Sequence, residues 1–343
     1  MIEVLLDRDL VPDSVVRIGV RRMVAARLRE QEAGGRDGQA RRFADLLDWL
    51  HTQPIAVATA TANAQHYELP PPFFERVLGP RVKYSSARWP PGVASLADAE
   101  AQMLELTTER AEIADGHRIL ELGCGWGSLT LHLARQFPSS AIMAVSNSAP
   151  QREYIGAKAR ALGLDNITVV TADINDFDSA HRFDRIVSVE MLEHVRNYAA
   201  LFARIRQWLA DEGKFFAHIF AHRQFAYPYE SHGESDWMAR HFFTGGMMPS
   251  HGLFLQLQDD LIVERHWRFD GSHYQRTAEA WLQNFDRHRA AINPLLAEVY
   301  GGDEVTRWAS RWRVFFIACA EMFGFRGGQE WGVSHYRFRR REL

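Results

Sequence analysis

Hydrophobic and polar positions divide the chain into regions of different periodicity. Up to about residue 95, apolar residues recur at helical spacing, and segments 13–30 and 41–53 are predicted to be helices. Asp13 or Ser14 is the predicted N-cap of the first of these helices. A proline-rich segment, ELPPPFFERVLGP, follows and is predicted to be a loop that marks a boundary.

After this loop, short apolar runs alternate with helical patterns. Strands are predicted at 117–123, 140–146, 167–172, 183–189 and 213–220, and helices at 98–112, 128–137, 149–163 and 197–210. Alternation of this kind predicts an α/β fold, in which helices cover both faces of a parallel sheet.

Beyond Phe220 the pattern changes again. Residues 221–260 are rich in aromatic residues, histidine and glycine, and a predicted strand, LIVERHWRF, follows them. Two long helical patterns cover about 277–299 and 303–323, and the final EWGVSHYRFRR alternates like a strand. We therefore expect four regions, which are an N-terminal helical region (1–95), a core (96–220), a helical and aromatic substrate-binding insert (221–325) and a final strand that rejoins the sheet (326–343).

Composition narrows the class of protein. The chain has 343 residues, 46% of them hydrophobic and 24% charged, which is typical of a soluble globular protein. A net charge of −3 gives no indication of a nucleic-acid partner. The two cysteines, Cys124 and Cys319, cannot form a disulfide framework, and no apolar run is long enough for a membrane span or a signal peptide. A cytoplasmic location is the expectation.

A glycine-rich motif lies between the first predicted strand and its helix, in ILELGCGWGSLTLHLA. Glycines there let the backbone turn tightly and approach a ligand, and the helix N-terminus offers unpaired N–H groups. A dinucleotide site would require G-x-G-x-x-G and an acid at the end of the second strand, where this chain has Ser146 and Asn147. The spacing predicts a nucleotide-type cofactor other than a dinucleotide.

The pattern E-x-G-x-G-x-G with a later A-D-I resembles class I S-adenosylmethionine-dependent methyltransferases. This resemblance implies a Rossmann-like sheet and S-adenosylmethionine as the cofactor. It also implies that the glycines contact the methionine part of the cofactor, and that Asp173 and Ile174 contact its adenine.

Strand four ends in Glu190, Glu193 and His194, at the sheet edge where open α/β folds bind ligands. An amine acceptor must lose a proton before it can accept a methyl group, and Glu193 or His194 could take that proton directly or through water. Glu190 could hold a cationic substrate. The alternative is that the carboxylates only begin a helix and that His194 is structural. The E-x-x-E-H order differs from H-E-x-x-H, so no metal site is predicted.

From about Tyr67 to the C-terminus the chain resembles the cyclopropane-fatty-acid-synthase superfamily, and within it the coclaurine-type N-methyltransferases. The shared segments include YELPPPFF, AVSNSAPQREYI, FDRIVSVEMLEHVRNY, HFFTGGMMPS and FGFRGGQEW. The resemblance implies that Glu193 and His194 are the catalytic pair, with Glu190 as a further substrate carboxylate. The full set of expected cofactor-binding residues is Tyr84, Ser85, Glu121, Gly123, Gly125, Gly127, Asn147, Gln151, Asp173 and Ile174.

The departures from the superfamily bear on the substrate. Cyclopropane synthases bind bicarbonate with Cys, Glu, His and Tyr; Glu193, His218 and Tyr274 match three of these, but Ser86 replaces the Cys. The segment after His194 continues as in the N-methyltransferases. Both differences favour a small nucleophile over a lipid alkene.

The aromatic insert supplies candidate walls for a substrate pocket, with core packing as the alternative for most of its rings. The pocket residues expected are His218, Tyr274, Phe225 and Tyr229.

Several functions remain open at this point. The first is an S-adenosylmethionine-dependent methyltransferase that acts on a small amine, although a thiol would suit the same pocket. The second is a lipid-modifying enzyme like cyclopropane-fatty-acyl-phospholipid synthase, for which the N-terminal helices and the basic cluster Arg337–Arg341 would face a membrane. The third is a cofactor-binding module without catalysis, which the E-x-x-E-H segment argues against.

Overall fold

A seven-stranded sheet forms the centre of the molecule. The computed structural model describes residues 2–57, 69–229 and 237–342. The strands of the described residues are β1 (Arg118–Leu122), β2 (Ala141–Ser146), β3 (Ile167–Thr171), β4 (Phe183–Val189), β5 (Leu209–His222), β6 (Tyr227–Pro228), β7 (Met247–Met248), β8 (Leu261–Asp270) and β9 (Trp331–Arg340). Strands β6 and β7 pair only with each other.

The order of the sheet is β3-β2-β1-β4-β5-β9-β8. Neighbours from β3 to β5 run parallel, whereas β9 is antiparallel to both β5 and β8. Leu122 at the end of β1 lies opposite Val145 of β2 and Ser188 of β4, so the carboxyl ends of these strands meet at one edge. The strands predicted from the sequence are confirmed, and β5 extends beyond the predicted 213–220.

Helices lie on both faces of the sheet and at one end of it. Those described are α1 (Ile2–Asp7), α2 (Asp13–Glu32), α3 (Gly35–His51), α4 (Pro71–Val77), α5 (Leu96–Arg110), α6 (Ser128–Gln136), α7 (Ala149–Ala161), α8 (Tyr198–Trp208), α9 (Trp237–His241), α10 (Ser272–Arg287), α11 (Arg289–Tyr300) and α12 (Val305–Phe323). No helix among these is long and apolar enough to cross a membrane. Side-chain caps begin α5, α7 and α8, where Ser95, Ser148 and Asn197 each accept a hydrogen bond from a main-chain N–H in the first turn.

Three predictions about the N-cap of α2, the helix over 277–299 and the proline-rich loop need correction. Pro12 is the N-cap of α2, and the Asp13 carboxylate pairs with Arg313 at 3.0 Å instead of capping the helix. The helix predicted over 277–299 is two helices that meet at His288, whose backbone is not helical. The described part of the proline-rich loop contains α4, because proline suits the first turn of a helix.

The buried apolar residues form separate cores on the two faces of the sheet. Leu46 and Leu50 of α3 pack with α8 on one face, and Leu104 of α5 packs with Leu129 and Leu133 of α6 on the other. A third and aromatic core joins α2, α4, α10 and α12, and it lies beyond the carboxyl ends of the strands. This third core shapes the second of the two cavities described below.

Candidate active site

The glycine turn after β1 has three glycines with positive φ, and they serve two different purposes. A Cβ at Gly123 would overlap the Met191 side chain, and one at Gly127 would overlap Ile155. A Cβ at Gly125, where φ is +52°, would meet no atom within 4 Å. Gly123 and Gly127 therefore permit close packing, whereas Gly125 leaves open space for a ligand.

The open space is a cavity of about 150 Å³ at the carboxyl ends of β1, β2 and β4, which we name the strand-end cavity. Eight of the predicted cofactor residues line it, namely Tyr84, Ser85, Glu121, Gly123, Gly125, Asn147, Gln151 and Ile174. Three buried polar atoms on its lining, Trp126 Nε1, Ser128 Oγ and Gln151 Nε2, have no hydrogen-bond partner within the described part of the chain. Buried polar atoms are normally satisfied, so these three are suited to a polar ligand.

Two predicted cofactor residues, Gly127 and Asp173, do not line the strand-end cavity. Gly127 is the left-handed residue at the N-cap of α6. Asp173 Oδ1 accepts hydrogen bonds from the main-chain N–H of Asn175 at 2.8 Å and from its side-chain Nδ2 at 2.9 Å.

The floor of the strand-end cavity carries an unusual carboxyl group. Glu121 is buried, its Oε2 accepts a hydrogen bond from the Thr130 hydroxyl at 2.6 Å, and burial raises its pKa to about 8. A cationic group of a ligand placed beside it would favour the ionised form. The buried Lys83 lines the same cavity and donates to the main-chain oxygen of Ser86 at 2.8 Å.

A second, much larger cavity of about 640 Å³ adjoins the first, and we name it the apolar cavity. Its walls come from α2, α12 and the aromatic insert, and they include the predicted pocket residues Tyr229 and Tyr274. Phe225 does not line it but stacks on His222 with ring centroids 5.0 Å apart. Residues of α2 such as Gly19 and Val20 also line it, which the sequence did not indicate because their spacing is that of any core-facing helix.

Three residues line both cavities: Tyr84, Glu190 and His194. Glu190 adopts a φ of +49°, which is strained for a residue with a side chain and is typical of functional positions. The junction between the cavities therefore carries the carboxylate of Glu190 and the imidazole of His194, both from the segment that follows β4.

The Glu190 carboxylate is held by donors from three directions. Its Oε1 accepts from the main-chain N–H of Ser86 at 2.8 Å and contacts His218 Nε2 at 3.1 Å, and its Oε2 accepts from the Tyr274 hydroxyl at 2.7 Å. Burial raises the pKa of Glu190, and the charge of Lys83 together with the Tyr274 hydrogen bond opposes that rise. Predicted pocket residue His218 thus lies behind Glu190 and does not line the apolar cavity.

His194 and Glu193 have different surroundings. The His194 ring packs on Phe243 at 4.9 Å, and burial together with Arg196 lowers its pKa to about 4, so the imidazole is neutral at neutral pH. Glu193 is fully buried and lines neither cavity, and its Oε1 accepts from the main-chain N–H of Phe220 at 2.6 Å. Burial and the neighbouring Glu190 raise the pKa of Glu193 well above its usual value.

The chain is similar in sequence to known methyltransferases and cyclopropane synthases. Residues 56–329 match the family model described as mycolic acid cyclopropane synthetase. The chain is 36% identical over 340 residues to (S)-coclaurine N-methyltransferase of Thalictrum flavum subsp. glaucum, covering 98% of this chain and 94% of that protein. It is 31% identical over 275 residues to cyclopropane-fatty-acyl-phospholipid synthase of Escherichia coli K12, covering 80% and 67% of the two chains.

Solved structures agree with the sequence relatives. The crystal structure of coclaurine N-methyltransferase bound to N-methylheliamine and S-adenosylhomocysteine superposes with a TM-score of 0.95 at 35% identity, covering 98% of each chain. The cyclopropane synthase MmaA2 from Mycobacterium tuberculosis has a TM-score of 0.69 at 20% identity, which supports the fold alone. The α/β class with a Rossmann-like sheet, predicted from the sequence, is confirmed.

Proposed function

Because the chain belongs to the mycolic acid cyclopropane synthetase family and is an S-adenosylmethionine-dependent methyltransferase, we propose that it methylates the nitrogen of a bulky, apolar amine. The observation that carries this proposal is the junction, where Glu190 and His194 line the small polar cavity and the large apolar one at once. A methyl donor on one side and an acceptor on the other would meet there.

The strand-end cavity suits S-adenosylmethionine, which supplies an electrophilic methyl group on a sulfonium when bound. Gly125 leaves room for the ligand, and Trp126 Nε1, Ser128 Oγ and Gln151 Nε2 offer unused polar atoms. Glu121 would pair with a cationic group of the cofactor. Asp173 and Gly127 are proposed to act indirectly, since Asp173 orders the loop at Asn175 and Gly127 begins α6.

The apolar cavity suits an acceptor with rings. Its volume of about 640 Å³ lies within the range typical of pockets for drug-sized ligands, and aromatic rings such as Tyr229, Trp237 and Phe243 form part of its walls. The relative named for coclaurine is an N-methyltransferase, which supports an amine as the nucleophile. Glu190 would hold the ammonium form of that amine by charge.

We assign the proton-accepting role to His194, with Glu193 as a buried neighbour. Neither ring nitrogen of His194 has a hydrogen-bond partner in the described residues, and the ring is neutral at neutral pH. Alignment of acceptor and methyl group contributes most to such a displacement, roughly 7–11 kcal/mol for a well-oriented pair. The polar groups at the junction need only hold the nitrogen and receive its proton.

The lipid-modifying alternative is not favoured. In place of a bicarbonate ion, the Glu190 carboxylate already receives the hydrogen bonds of Ser86 N–H, His218 and Tyr274. A second anion at this position would meet a like charge and few free donors. Glu193, which the resemblance grouped with His218 and Tyr274, has no such contact with them.

We propose further that regions 1–95 and 221–325 supply most of the acceptor side of the site and that 96–220 supplies most of the cofactor side. In support, α2 and α12 line the apolar cavity and the strand ends line the strand-end cavity; Lys83 and Ser85 of the N-terminal region also line the strand-end cavity, and Glu190 and His194 of the core line both. A cytoplasmic location is proposed as well, supported by the two free thiols Cys124 and Cys319.

The test is incubation with methyl-labelled S-adenosylmethionine and a panel of ring-bearing secondary amines, thiols and unsaturated phospholipid vesicles, with and without bicarbonate. We expect label on amines only, independent of bicarbonate. Bicarbonate-dependent label in a cyclopropane acyl chain would contradict the proposal, and label on thiols alone would replace the amine by a softer nucleophile.

A further inference from the structure

A chain of hydrogen-bonded side chains leads from Glu190 across the sheet. His218 Nε2 lies 3.1 Å from Glu190 Oε1, and His218 Nδ1 lies 2.9 Å from His335 Nε2. His335 Nδ1 in turn lies 3.1 Å from Arg110 Nη1. We name these four residues the histidine relay; His335 and Arg110 have no other part in the site described above.

The register of the sheet explains why the two imidazoles meet. His218 of β5 lies directly opposite His335 of β9, and both side chains are fully buried. Arg110 is the last residue of α5, and its guanidinium lies over the rings of Trp267 and Phe269, 4.7 and 4.8 Å from their centroids. These two rings hold the guanidinium in place by cation–π contact.

The direction of every hydrogen bond in the relay follows from its arginine end. A guanidinium has only donors, so Arg110 donates and His335 Nδ1 accepts. A neutral His335 then carries its proton on Nε2 and donates to His218 Nδ1, and His218 carries its proton on Nε2 and donates to Glu190. Every hydrogen bond of the relay is therefore donated in the direction of the Glu190 carboxylate. Both histidines are fixed in the tautomer that carries its proton on Nε2.

The charges around the relay favour the same arrangement. Burial, Arg110 and Lys83 all lower the pKa of both His218 and His335 well below its usual value, so both rings are neutral. Arg88 also acts on His335, and Lys83 acts on Glu190 from the loop before α5. Tyr274 of α10 donates to the other oxygen of Glu190. The carboxyl group of Glu193 is near enough for the charge of Glu190 to raise its pKa.

We propose that Arg110 and His335 are positioning residues that keep Glu190 an ionised hydrogen-bond acceptor by fixing His218 as a donor. This inference rests on the proposed function, in which an ionised Glu190 holds the cationic amine. Without His335, the His218 ring could carry its proton on Nδ1, which would turn a lone pair toward the carboxylate. Glu190 would then bind a proton more readily and the amine less well.

The first test is the pH profile of kcat/KM for amine methylation. Glu190 must be ionised, so loss of the relay shifts the acidic limb to higher pH, by about one pH unit, with an about tenfold loss of kcat/KM below the limb. We expect this of His335→Ala and Arg110→Met. His335→Gln should retain most of the wild-type profile, because an amide also accepts at one end and donates at the other.

The matched control is His266→Ala. His266 lies on β8 of the same sheet, its ring stacks on Tyr336 at 4.1 Å, and its Nε2 contacts Ser334 Oγ at 3.0 Å, outside the relay. We expect its acidic limb to match the wild type whatever happens to its thermal stability. An unshifted limb in His335→Ala, or an equal shift in His266→Ala, would overturn the proposal.

The second test does not depend on activity. Nitrogen-15 NMR of the protein labelled at histidine should show His218 and His335 as neutral Nε2–H tautomers from pH 5 to 9, with this signature lost for His218 in His335→Ala. Observation of the Nδ1–H tautomer or of a charged imidazolium in the wild type would overturn the relay. If the tautomers are as stated but no amine is methylated, the relay stands and the proposed function fails.

Discussion

The two cavities differ in how the chain builds them. Main-chain turns at the ends of adjacent strands form the strand-end cavity, and its motif from Glu121 to Gly127 is continuous in sequence. The apolar cavity is enclosed by side chains from α2, α12 and the aromatic insert. Of these segments, α2 and α12 are about 300 residues apart in the sequence. One site is therefore fixed by backbone geometry and the other by packing between distant segments.

The attachment of α2 shows what the second kind of site requires. Arg17 pairs with Glu279 and with Glu321, the latter at 2.8 Å, and Asp13 pairs with Arg313 at 3.0 Å. Partly buried ion pairs of this kind fix the position of a helix, although exposed ones contribute only about 0–1 kcal/mol each. The shape of the apolar cavity therefore depends on ion pairs that join α2 to distant residues of α10 and α12.

Gly125→Val should have the largest effect on cofactor affinity and should act through the strand-end cavity. The branched side chain would occupy the ligand space and strain a residue with φ of +52°. We expect cofactor affinity, measured by calorimetry, to fall at least about 100-fold, which corresponds to about 2.7 kcal/mol. NAD should bind to neither form, because the acid that holds its ribose is missing after β2.

Gly163→Val is the matched control for strain. Gly163 also has a positive φ, of +67°, and open space around its Cβ, but it follows α7 away from both cavities. It should lose stability but keep its cofactor affinity. Equal loss of affinity in both variants would mean that strain, and not occupation of the cavity, is responsible.

His194→Ala should lower kcat by about 10²–10⁴-fold with an unchanged cofactor Kd, because loss of a group that receives a proton has costs of this size. Glu193→Gln should have a much smaller effect, since Glu193 lines neither cavity and its contact with the Phe220 N–H survives in the amide. Single-turnover rates at saturating cofactor separate the two. If Glu193→Gln proves as slow as His194→Ala, the base assignment passes to Glu193.

Sequence patterns could predict the first cavity much better than the second. The glycine turn, Gln151 and Glu190 lie in short motifs at strand ends, and parallel pairing alone brings strand ends together. Neither the role of α2 nor the pairing of His218 with His335 has a local signal, because both depend on which distant segments pack together. Even within a motif, the sequence does not predict which side chains face a cavity. Glu193 is an example, since its side-chain direction is set by a 3₁₀ turn at residues 192–194.

Glu121→Gln should weaken cofactor binding by about 10–100-fold, the usual contribution of a charge-assisted hydrogen bond. It should also remove a pH dependence. Burial holds the pKa of Glu121 at about 8 in the free protein, so below that pH a proton must leave before the carboxylate can pair with a cation. Wild-type affinity should therefore rise between pH 6 and 8, and the affinity of the variant should not.

Ser128→Ala is the control for Glu121→Gln, since it removes a polar atom that has no hydrogen-bond partner among the described residues, without removing a charge. It should weaken binding modestly and retain the rise of affinity with pH. A pH-independent wild type would show that Glu121 does not face a cationic group of the cofactor.

The smallest effect tests the apolar cavity through the backbone of α2. Gly19 lies mid-helix on the cavity wall, and a Cβ there would meet no atom within 4 Å. Gly19→Leu should fill part of the acceptor space and raise the KM for the amine about tenfold, equivalent to about 1.4 kcal/mol, with cofactor affinity unchanged. Gly19→Ala adds only a methyl group and should keep the wild-type KM, while both variants stabilise the helix by about 0.5–1 kcal/mol relative to glycine. Thermal unfolding measures the stability of both variants, and steady-state kinetics measures their KM. A KM that rises equally in both variants would mean that α2 must flex during turnover. A KM unchanged in both would show that α2 is not part of the acceptor site.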